Sequence, residues 1–487
     1  MLFNSFSFLI FFPTVTFLYF LIPHGYRWFF LLAASCIFYM AFIPIYILVL
    51  ALTIAIDYTA GLLIERSEGE RRKSFLVISI LSTCGVLFVF KYFNFFNSNL
   101  SQLARFLHWN YPIEGLSLIL PIGLSFHTFQ SLSYVIEVYR KNFKAENHFG
   151  IYALYVMFYP QLVAGPIERP GNLMHQFYEK HSFDDQRVIN GLKLMVWGFF
   201  KKVVIADRLA IVVDQVYTDP TQYTGLPLIV SALFFAFQVY CDFSGYSDIA
   251  IGSAQVMGFR LMDNFNRPFY ARSVADFWRR WHISLMTWFR DYVYIPMGGS
   301  RVGKWRWYGT IFFTFTLSGL WHGAGWGFIL WGSLNGIYLI FSDLTQTLRK
   351  RMVRWMGLDR FPAFHQGLQV AFIFLLFCFT LIIFRAKSLS NAYYVLTHLW
   401  TGLGSLTGVK LSLKSLYSLG LGRYEFLLAF VSIGLMEFIQ MIEKQENMRE
   451  MFSEKPVLFR WVTYYVIILF LIFFGEYNDH AFIYFQF

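Results

Sequence analysis

Charged residues are scarce in this chain of 487 residues: Asp, Glu, Lys and Arg make up 14%, whereas hydrophobic residues make up 57%. A soluble globular domain has about 25% charged residues, so this composition lies far outside that class. Apolar runs long enough to cross a hydrocarbon core of about 30 Å recur along the whole length. The scarcity of charge therefore excludes a soluble enzyme on a membrane anchor and predicts one membrane domain over residues 1–487.

Cysteine is also scarce. Four cysteines occur, without paired spacing and without a nearby histidine that could share a metal: Cys36, Cys84, Cys241 and Cys378. We therefore expect neither a disulfide framework nor a metal centre. A basic segment before the first apolar run, MLFNSFSFLI, and a small-residue cleavage site after it are lacking too. This pattern is typical of a retained first helix, not of a signal peptide.

The net charge of +11 could suggest a nucleic-acid partner, but the basic residues cluster in short loops between apolar runs. Such loops normally face the cytoplasm, so the charge reports orientation in the membrane. We expect contact with membrane lipid and no nucleic acid. The basic loops lie near Arg71, Arg140, Arg301, Arg351 and residues 444–460.

The apolar runs predict an all-α polytopic membrane protein with about 11–13 transmembrane or re-entrant helices. They lie near residues 2–22, 28–43, 45–64, 75–92, 118–138, 150–164, 188–213, 226–258, 308–322, 325–344, 366–384, 424–442 and 459–475. The stretch 385–423 is less apolar, and the number of crossings before it places it outside. We expect an extracytoplasmic cap there, with an interfacial helix as the alternative.

The stretch from Tyr308 to Leu344 starts and ends beside basic loops and is too long for one crossing, so it must turn near its middle. The middle, SGLWHGAGW (318–326), holds three glycines, which weaken a regular helix. The turn places His322, beside Trp321, deep in the membrane or toward its outer half, away from the basic loops. Broken backbone at that depth predicts a cavity next to it. Ionisable groups in membranes are costly and usually functional. We predict that His322 is the catalytic base, because a neutral imidazole can accept the proton of a hydroxyl that attacks a thioester.

A second histidine, His282, lies in DFWRRWHISL at the predicted cytoplasmic boundary. Tryptophan and arginine are ordinary at that depth, but the local density of positive charge is not. The group could bind the phosphates of coenzyme A or an acidic carrier protein, and anionic lipid is the alternative. Its members are Arg279, Arg280, Arg290, Arg301, Lys304 and Arg306.

Polar side chains also interrupt two other apolar runs. Asp242, Ser244 and Asp248 lie in CDFSGYSD, and we expect the two carboxylates to accept hydrogen bonds from neighbouring helices or to pair with arginines. His127 lies in the run 118–138 and either lines an internal polar path or forms a hydrogen bond between helices. We place these residues, with Trp321, beside or along the expected tunnel.

Five segments resemble those of the alginate O-acetylation membrane subunit, a bacterial branch of the membrane-bound O-acyltransferase (MBOAT) family. They are PQLVAGPIERP (160–170), DFSGYSDIAIG (242–252), NFNRPFYARSVADFWRRWHISLMTWFRDYVYIPMGGSR (264–301), SGLWHGAGWGFILWG (318–332) and FIYFQF (482–487). The likeness runs through the chain and is strongest over residues 121–341. It implies the MBOAT fold with a tunnel or funnel between the two membrane faces, and catalytic histidines at His322 and His282.

The resemblance also implies a function. Its members take an acyl group from a cytoplasmic thioester, usually acetyl-CoA, across the bacterial inner membrane to an extracytoplasmic polysaccharide such as alginate. A separate periplasmic SGNH-type partner often completes the transfer. Alternatives are peptidoglycan O-acetylation, D-alanyl transfer from a carrier protein to a cell-wall polymer, and, outside enzymes, a transporter or a scaffold that recruits a separate transferase. A transporter would predict paired, symmetry-related broken helices, and this sequence shows no such repeat.

Overall fold

The computed structural model describes residues 1–443, 455–477 and 482–483. Within them every regular element is helical, which confirms the all-α prediction. The basic residues predicted over 444–454 and the last four residues of FIYFQF lie outside the described residues. The chain divides into two compact units, Met1–Met195 with Ser247–Asp263, and Val196–Tyr246 with Asn264–Phe487. The prediction of a single membrane domain stays a prediction.

The first unit contains nine α-helices and parts of two more among its described residues. The nine are α1 (Phe6–Leu21), α2 (His24–Met40), α3 (Ile47–Arg66), α4 (Gly69–Leu87), α5 (Phe93–Phe106), α6 (Leu124–Tyr139), α7 (Phe149–Met157), α8 (Tyr159–Leu162) and α9 (Pro170–Leu173). Helix α10 (Asp185–Phe199) begins in this unit and ends in the second. Helix α3 packs against α4 and α6. The buried carboxylate of Asp57 on α3 accepts hydrogen bonds from Ser79 (2.6 Å) and Thr83 (2.9 Å) of α4. These bonds satisfy a charge-bearing group that would otherwise be costly between helices.

The second unit carries the predicted catalytic residues. Its α-helices are α11 (Asp207–Thr218), α12 (Leu226–Met257), α13 (Val274–Arg280), α14 (Ile283–Phe289), α15 (Lys304–His322), α16 (Trp326–Leu344), α17 (Gln346–Trp355), α18 (Pro362–Arg385), α19 (Leu389–His398), α20 (Leu406–Leu416), α21 (Arg423–Glu443) and α22 (Val457–Phe474). Helix α12 begins in this unit and ends in the first. A π-helical segment, Phe200–Ala206, precedes α11. Ser273 begins α13, because its hydroxyl accepts a hydrogen bond from the backbone N–H of Asp276 (3.1 Å).

Seven helical segments of the described chain are long and apolar enough to cross a membrane, so the chain is a multi-pass membrane protein. They are Pro44–Arg66, Gly69–Phe106, Leu226–Met257, Trp326–Leu344, Pro362–Arg385, Arg423–Ile442 and Val457–Phe474. Each overlaps a predicted span, and Gly69–Phe106 extends beyond the predicted 75–92 at both ends. Helix α22 buries none of its side chains, and Leu458 and Phe473 stand exposed. Such an apolar surface is stable only against lipid or another protein.

Two other predicted spans, near 118–138 and 150–164, are only partly helical. The run near 118–138 becomes helical only at Leu124, and the run near 150–164 ends as α7 at Met157 and resumes for one turn at Tyr159. Pro160 explains the interruption between Met157 and Tyr159, because proline lacks the N–H that a continuing helix needs. The run near 188–213 is continuous from α10 to α11 through the π-helical turn. The stretch 385–423 contains two helices, α19 and α20.

Helices α15 and α16 form the predicted hairpin, which confirms the turn near the middle of 308–344. The two helices approach closely at Gly319 and Gly332. A methyl group on Gly319 would contact the carbonyl oxygen of Phe328 and lie 3.0 Å from the Cα of Gly332. Close backbone approach through glycine is a common way for membrane helices to associate, because dispersion contacts replace the missing hydrophobic effect. The glycine contact therefore fixes how the hairpin packs.

The Gly319→Ala variant tests this contact. The added methyl group has no space, so the helices must separate, and overpacking of this kind costs about 1–3 kcal/mol. Gly309→Ala is the matched control, since Gly309 lies on the same helix and a methyl group there meets no atom within 4 Å. We expect thermal unfolding in detergent to show a lower midpoint for Gly319→Ala only. Equal midpoints for the two variants would contradict the close packing.

Candidate active site

His322 is the last residue of α15 and lies buried at the tip of the hairpin. Gly323 and Gly325 are extended, with φ of −164° and −166°, and α16 begins at Trp326. The imidazole is surrounded by aromatic rings. Its ring centroid lies 5.0 Å from that of Trp321, 5.1 Å from that of Trp331 and 5.6 Å from that of Phe384. The hairpin and α18 thus hold His322 in an aromatic cage.

His282 lies between α13 and α14 and is also buried. Its backbone adopts the left-handed conformation, with φ 45° and ψ 54°, which is uncommon for a residue other than glycine. The ring meets Phe243 edge to face at 4.5 Å and lies 6.3 Å from the indole of Trp321. Because the same indole contacts His322, the two histidines share one site.

This arrangement corrects one expectation. The sequence placed His282 at the cytoplasmic boundary and His322 toward the opposite side. The structure brings both rings against Trp321, since the segment before α14 folds back into the helical core and does not remain at the surface. The two histidines therefore lie at one place in the second unit.

Asn264 lies in the segment between α12 and α13 and is buried beside His282. Its side-chain oxygen is 3.1 Å from Nδ1 of His282 and accepts a hydrogen bond from the Ser284 hydroxyl (2.9 Å). Sequence reasoning did not find this residue, because an asparagine in a polar connecting segment carries no signal of its own.

The basic residues predicted to bind the donor lie near His282 in sequence. Most of them are exposed to solvent, and three lie close to carboxylates. Arg279, Arg290, Arg301 and Lys304 are exposed. Arg280 pairs with Asp276 (2.8 Å), Arg290 pairs with Asp291 (2.7 Å), and Lys304 lies 3.7 Å from Asp343. An exposed guanidinium remains able to meet a phosphate from solvent.

Asp242 and Ser244 of α12 are held by two adjacent buried lysines of the π-helical segment. Lys202 lies 2.7 Å from Asp242 and 2.8 Å from Asp207, and Lys201 donates a hydrogen bond to the Ser244 hydroxyl (2.9 Å). We expected the two carboxylates to accept hydrogen bonds from neighbouring helices or to pair with arginines. Asp242 pairs with a lysine of the π-helical segment and not with an arginine.

Asp242 is tied to the chain terminus and to the histidine as well. Its other oxygen accepts a hydrogen bond from the backbone N–H of Ile483 (2.8 Å). The next residue, Phe243, is the ring that meets His282. The buried ion cluster therefore fixes the part of α12 that forms one wall of the site.

The remaining predicted residues lie elsewhere. Asp248 is half-buried further along α12. His127 is buried in the first unit, where its Nε2 lies 3.4 Å from the hydroxyl of Thr53 on α3. This neighbour fits the reading of His127 as a hydrogen-bonding group between helices.

An apolar cleft lies in the second unit among α13, α16 and α18. Trp278 lines it and packs at 5.8 Å against Trp331, the ring that contacts His322. The cleft thus lies one side chain away from the histidine. In the part of the chain that the structure describes, no group of three or more His, Cys, Asp or Glu side chains gathers where it could hold a metal ion.

Two groups of residues escaped the sequence reasoning for different reasons. Lys201 and Lys202 carried a signal, since two adjacent lysines interrupt the apolar run FFKKVVIA. Such charges inside an apolar run predict a buried partner. Phe243, Trp331 and Phe384 carried none, because phenylalanine and tryptophan are common throughout this chain and only the fold selects those that touch the histidines.

Comparison with known proteins adds an independent line of evidence. The sequence model of the MBOAT, membrane-bound O-acyltransferase family matches residues 148–386, a range that includes both histidines. The chain is 38% identical over 397 residues to the probable alginate O-acetylase AlgI of Pseudomonas aeruginosa, covering 81% of this chain and 74% of the relative. Identity to the protein of the same name from Azotobacter vinelandii is 37% over 442 residues, covering 89% and 84%. The peptidoglycan O-acetyltransferase of Helicobacter pylori is 33% identical over 453 residues, covering 83% and 81%.

A helical, multi-pass membrane protein with two buried histidines in one aromatic site is thus matched over most of its length by acyltransferases. The chain belongs to the membrane-bound O-acyltransferase family and is an O-acyltransferase. The resemblance of its motifs to the alginate O-acetylation subunit is confirmed.

The Lys202→Met variant tests the ion cluster. Without the lysine, Asp207 and Asp242 are left buried side by side, and breaking a buried ion pair costs about 3–5 kcal/mol. We expect a clearly lower unfolding midpoint in detergent. Adding Asp242→Asn should restore part of the loss, because the amide oxygen can still accept from Ile483 without adding charge. Lys180→Met, at an exposed position, is the control. A Lys202→Met protein as stable as this control would show that the cluster is not sealed from water.

Proposed function

We propose that this O-acyltransferase takes an acetyl group from acetyl-CoA on the cytoplasmic side of the bacterial inner membrane. The acetyl group passes through the protein and serves the O-acetylation of an extracytoplasmic polysaccharide such as alginate. The observation that carries the proposal is the meeting of His322 and His282 on the indole of Trp321, inside a chain of this family.

In this proposal His322 is the general base. Its imidazole takes the proton of an acceptor hydroxyl while the hydroxyl oxygen attacks the carbonyl carbon of the thioester. The carbon–sulfur bond then breaks, and the proton moves from the imidazolium to the departing thiolate of coenzyme A. The products are an acetyl ester and free coenzyme A, so atoms and charges balance. The ring of His282 lies 6.3 Å from the indole of Trp321, between ring centroids.

The aromatic cage supports this chemistry. Trp331 and Phe384 exclude bulk water from His322, and water would otherwise compete with the acceptor hydroxyl for the thioester. The same exclusion strengthens each polar interaction inside the site, because the local dielectric constant is low.

The donor would approach from the side that bears the basic residues. Arg279 and Arg301 are exposed, and guanidinium groups match the phosphates of coenzyme A. An acyl carrier protein, which is acidic, would use the same charges. The orientation of the basic loops supports a cytoplasmic donor, because lysine and arginine mark that side.

The acceptor is proposed from the relatives. Those named as alginate O-acetylases match this chain over most of its length, which supports a polysaccharide hydroxyl as the final acceptor. Peptidoglycan is the second candidate, supported by the 33% identity to a peptidoglycan O-acetyltransferase. The final step is assigned to a periplasmic SGNH-type partner, because coenzyme A does not reach that compartment.

The first test is thioester turnover by the purified chain. Wild-type protein in detergent should release coenzyme A from acetyl-CoA, and His322→Ala should lower the rate by about 10²–10⁴-fold, the usual contribution of a general base. D-alanyl carrier protein, assayed in parallel, should react slowly or not at all. Free thiol is measured with a chromogenic reagent.

His175→Ala is the matched control, since His175 is exposed and lies outside the five segments that resemble the family. Its rate should equal that of wild type, and all three proteins should share one unfolding midpoint. Full turnover by a folded His322→Ala protein would refute the assignment. A faster reaction with D-alanyl carrier protein than with acetyl-CoA would show that the carrier protein, and not acetyl-CoA, is the donor. A wild-type chain without turnover of either donor would favour a scaffold or a transporter.

The second test concerns direction. Sealed inverted vesicles expose the cytoplasmic face, so radiolabelled acetyl-CoA is added outside while the SGNH-type partner and alginate oligosaccharide are trapped in the lumen. Passage through the chain predicts labelled oligosaccharide inside. Vesicles with His322→Ala should give none. Label that stays outside while coenzyme A is still released would show that the site opens to one face only.

A further inference from the structure

The left-handed turn at His282 is clamped by a single residue. Four hydrogen bonds join Asn264 to residues 282–284. The main-chain oxygen of Asn264 accepts from the N–H of Ile283 (2.8 Å). Its side-chain oxygen lies 3.1 Å from Nδ1 of His282 and accepts from the N–H (3.3 Å) and the hydroxyl (2.9 Å) of Ser284. Asn264 and His282 are both buried, so water does not supply alternative partners.

These contacts fix which atom of the amide faces the histidine. A backbone N–H can only donate, so the amide atom that faces the N–H of Ser284 must be the oxygen. An amide oxygen can only accept. The imidazole nitrogen at 3.1 Å from this oxygen must therefore carry its proton.

The proton position decides the chemistry of the ring. In a neutral imidazole only one nitrogen bears hydrogen, so a protonated Nδ1 leaves the lone pair on Nε2. The ring centroids of His282 and Phe243 lie 4.5 Å apart in a T-shaped contact, which restrains the plane of the imidazole. Trp321, which also contacts His322, lies 6.3 Å from the imidazole of His282. The ring is thus fixed in orientation as well as in proton position.

We propose that Asn264 is a positioning residue that holds His282 as the Nδ1–H tautomer and presents its Nε2 lone pair to the reacting groups. Its importance for catalysis rests on the proposed acyl transfer, whereas the tautomer does not. The strained turn supports this role, because unusual backbone at an active site persists only where the surroundings enforce it. A buried asparagine needed only for packing would not have to aim its oxygen at the imidazole.

Nitrogen NMR of histidine-labelled protein tests the tautomer directly. The chain has eleven histidines, so the His282 signals are identified as those missing from a His282→Gln sample. Wild type should show a protonated Nδ1 and an unprotonated Nε2 for His282. Asn264→Asp keeps an accepting oxygen and should keep Nδ1 protonated. Asn264→Leu removes the acceptor and should move the proton to Nε2 in part or all of the molecules.

Kinetics test the role. Asn264→Leu should lower kcat for acetyl-CoA turnover by about 10- to 100-fold, the usual effect of losing a partner that orients a functional histidine. The KM for acetyl-CoA should not change, because Asn264 is buried and in this proposal acts through His282. Thr287→Ala is the matched control. Thr287 lies on α14, the same helix as Ser284, and its hydroxyl donates to the main-chain oxygens of Ile283 (2.8 Å) and Ser284 (3.0 Å). This variant should leave both the tautomer and kcat near wild type.

Each outcome is decisive. A wild-type spectrum with the proton on Nε2 overturns the inference without any variant, even if Asn264→Leu does not fold. A folded Asn264→Leu protein with unchanged tautomer overturns it as well. A changed tautomer with unchanged kcat overturns the catalytic part. Loss of the proposed function would instead appear as absent acetyl-CoA turnover in wild type, which leaves the spectrum as predicted.

Discussion

The close approach of α15 and α16 at Gly319 and Gly332 is the contact on which the site depends. Neither position has room for a methyl group, because each would meet backbone of the opposite helix. This spacing brings Trp331 of α16 against His322 at the end of α15. It also lets Phe384 of α18 close the cage from a third helix. A wider hairpin would leave the histidine facing an open groove.

Polar groups inside the helical bundle follow a second constraint: each must find a partner that water cannot supply. In the second unit, Lys202 pairs with Asp207 and Asp242, and Lys201 donates a hydrogen bond to Ser244. In the first unit, Asp57 accepts hydrogen bonds from two hydroxyl groups. The first of these clusters has a further effect. By fixing α12 at Asp242 it fixes Phe243, which restrains the ring of His282. The ion cluster and His282 are thus linked through one aromatic contact.

Much of this could be predicted from the sequence, because length and hydrophobicity alone determine which segments can cross a membrane. The seven long apolar helices and the hairpin turn before Trp326 followed from such patterns. The contacts between distant segments did not. Lys202 pairs with Asp242, and Asn264 binds His282. In both cases the partners lie on different segments of the chain, and no sequence pattern shows which segments come into contact. For the same reason the sequence could not show that the two histidines share one indole.

The end of α15 has an electrostatic consequence. The peptide dipoles of a helix add up to about half a negative charge at its C-terminus, and His322 is the last residue of this helix. A base that accepts a proton becomes a cation, and a cation at that end is stabilised by about 0.3–1 kcal/mol, or up to about 2 kcal/mol when partly buried. The backbone break after His322 therefore does more than bend the chain. In the proposed mechanism, it places the positive charge that His322 gains at the negative end of a helix.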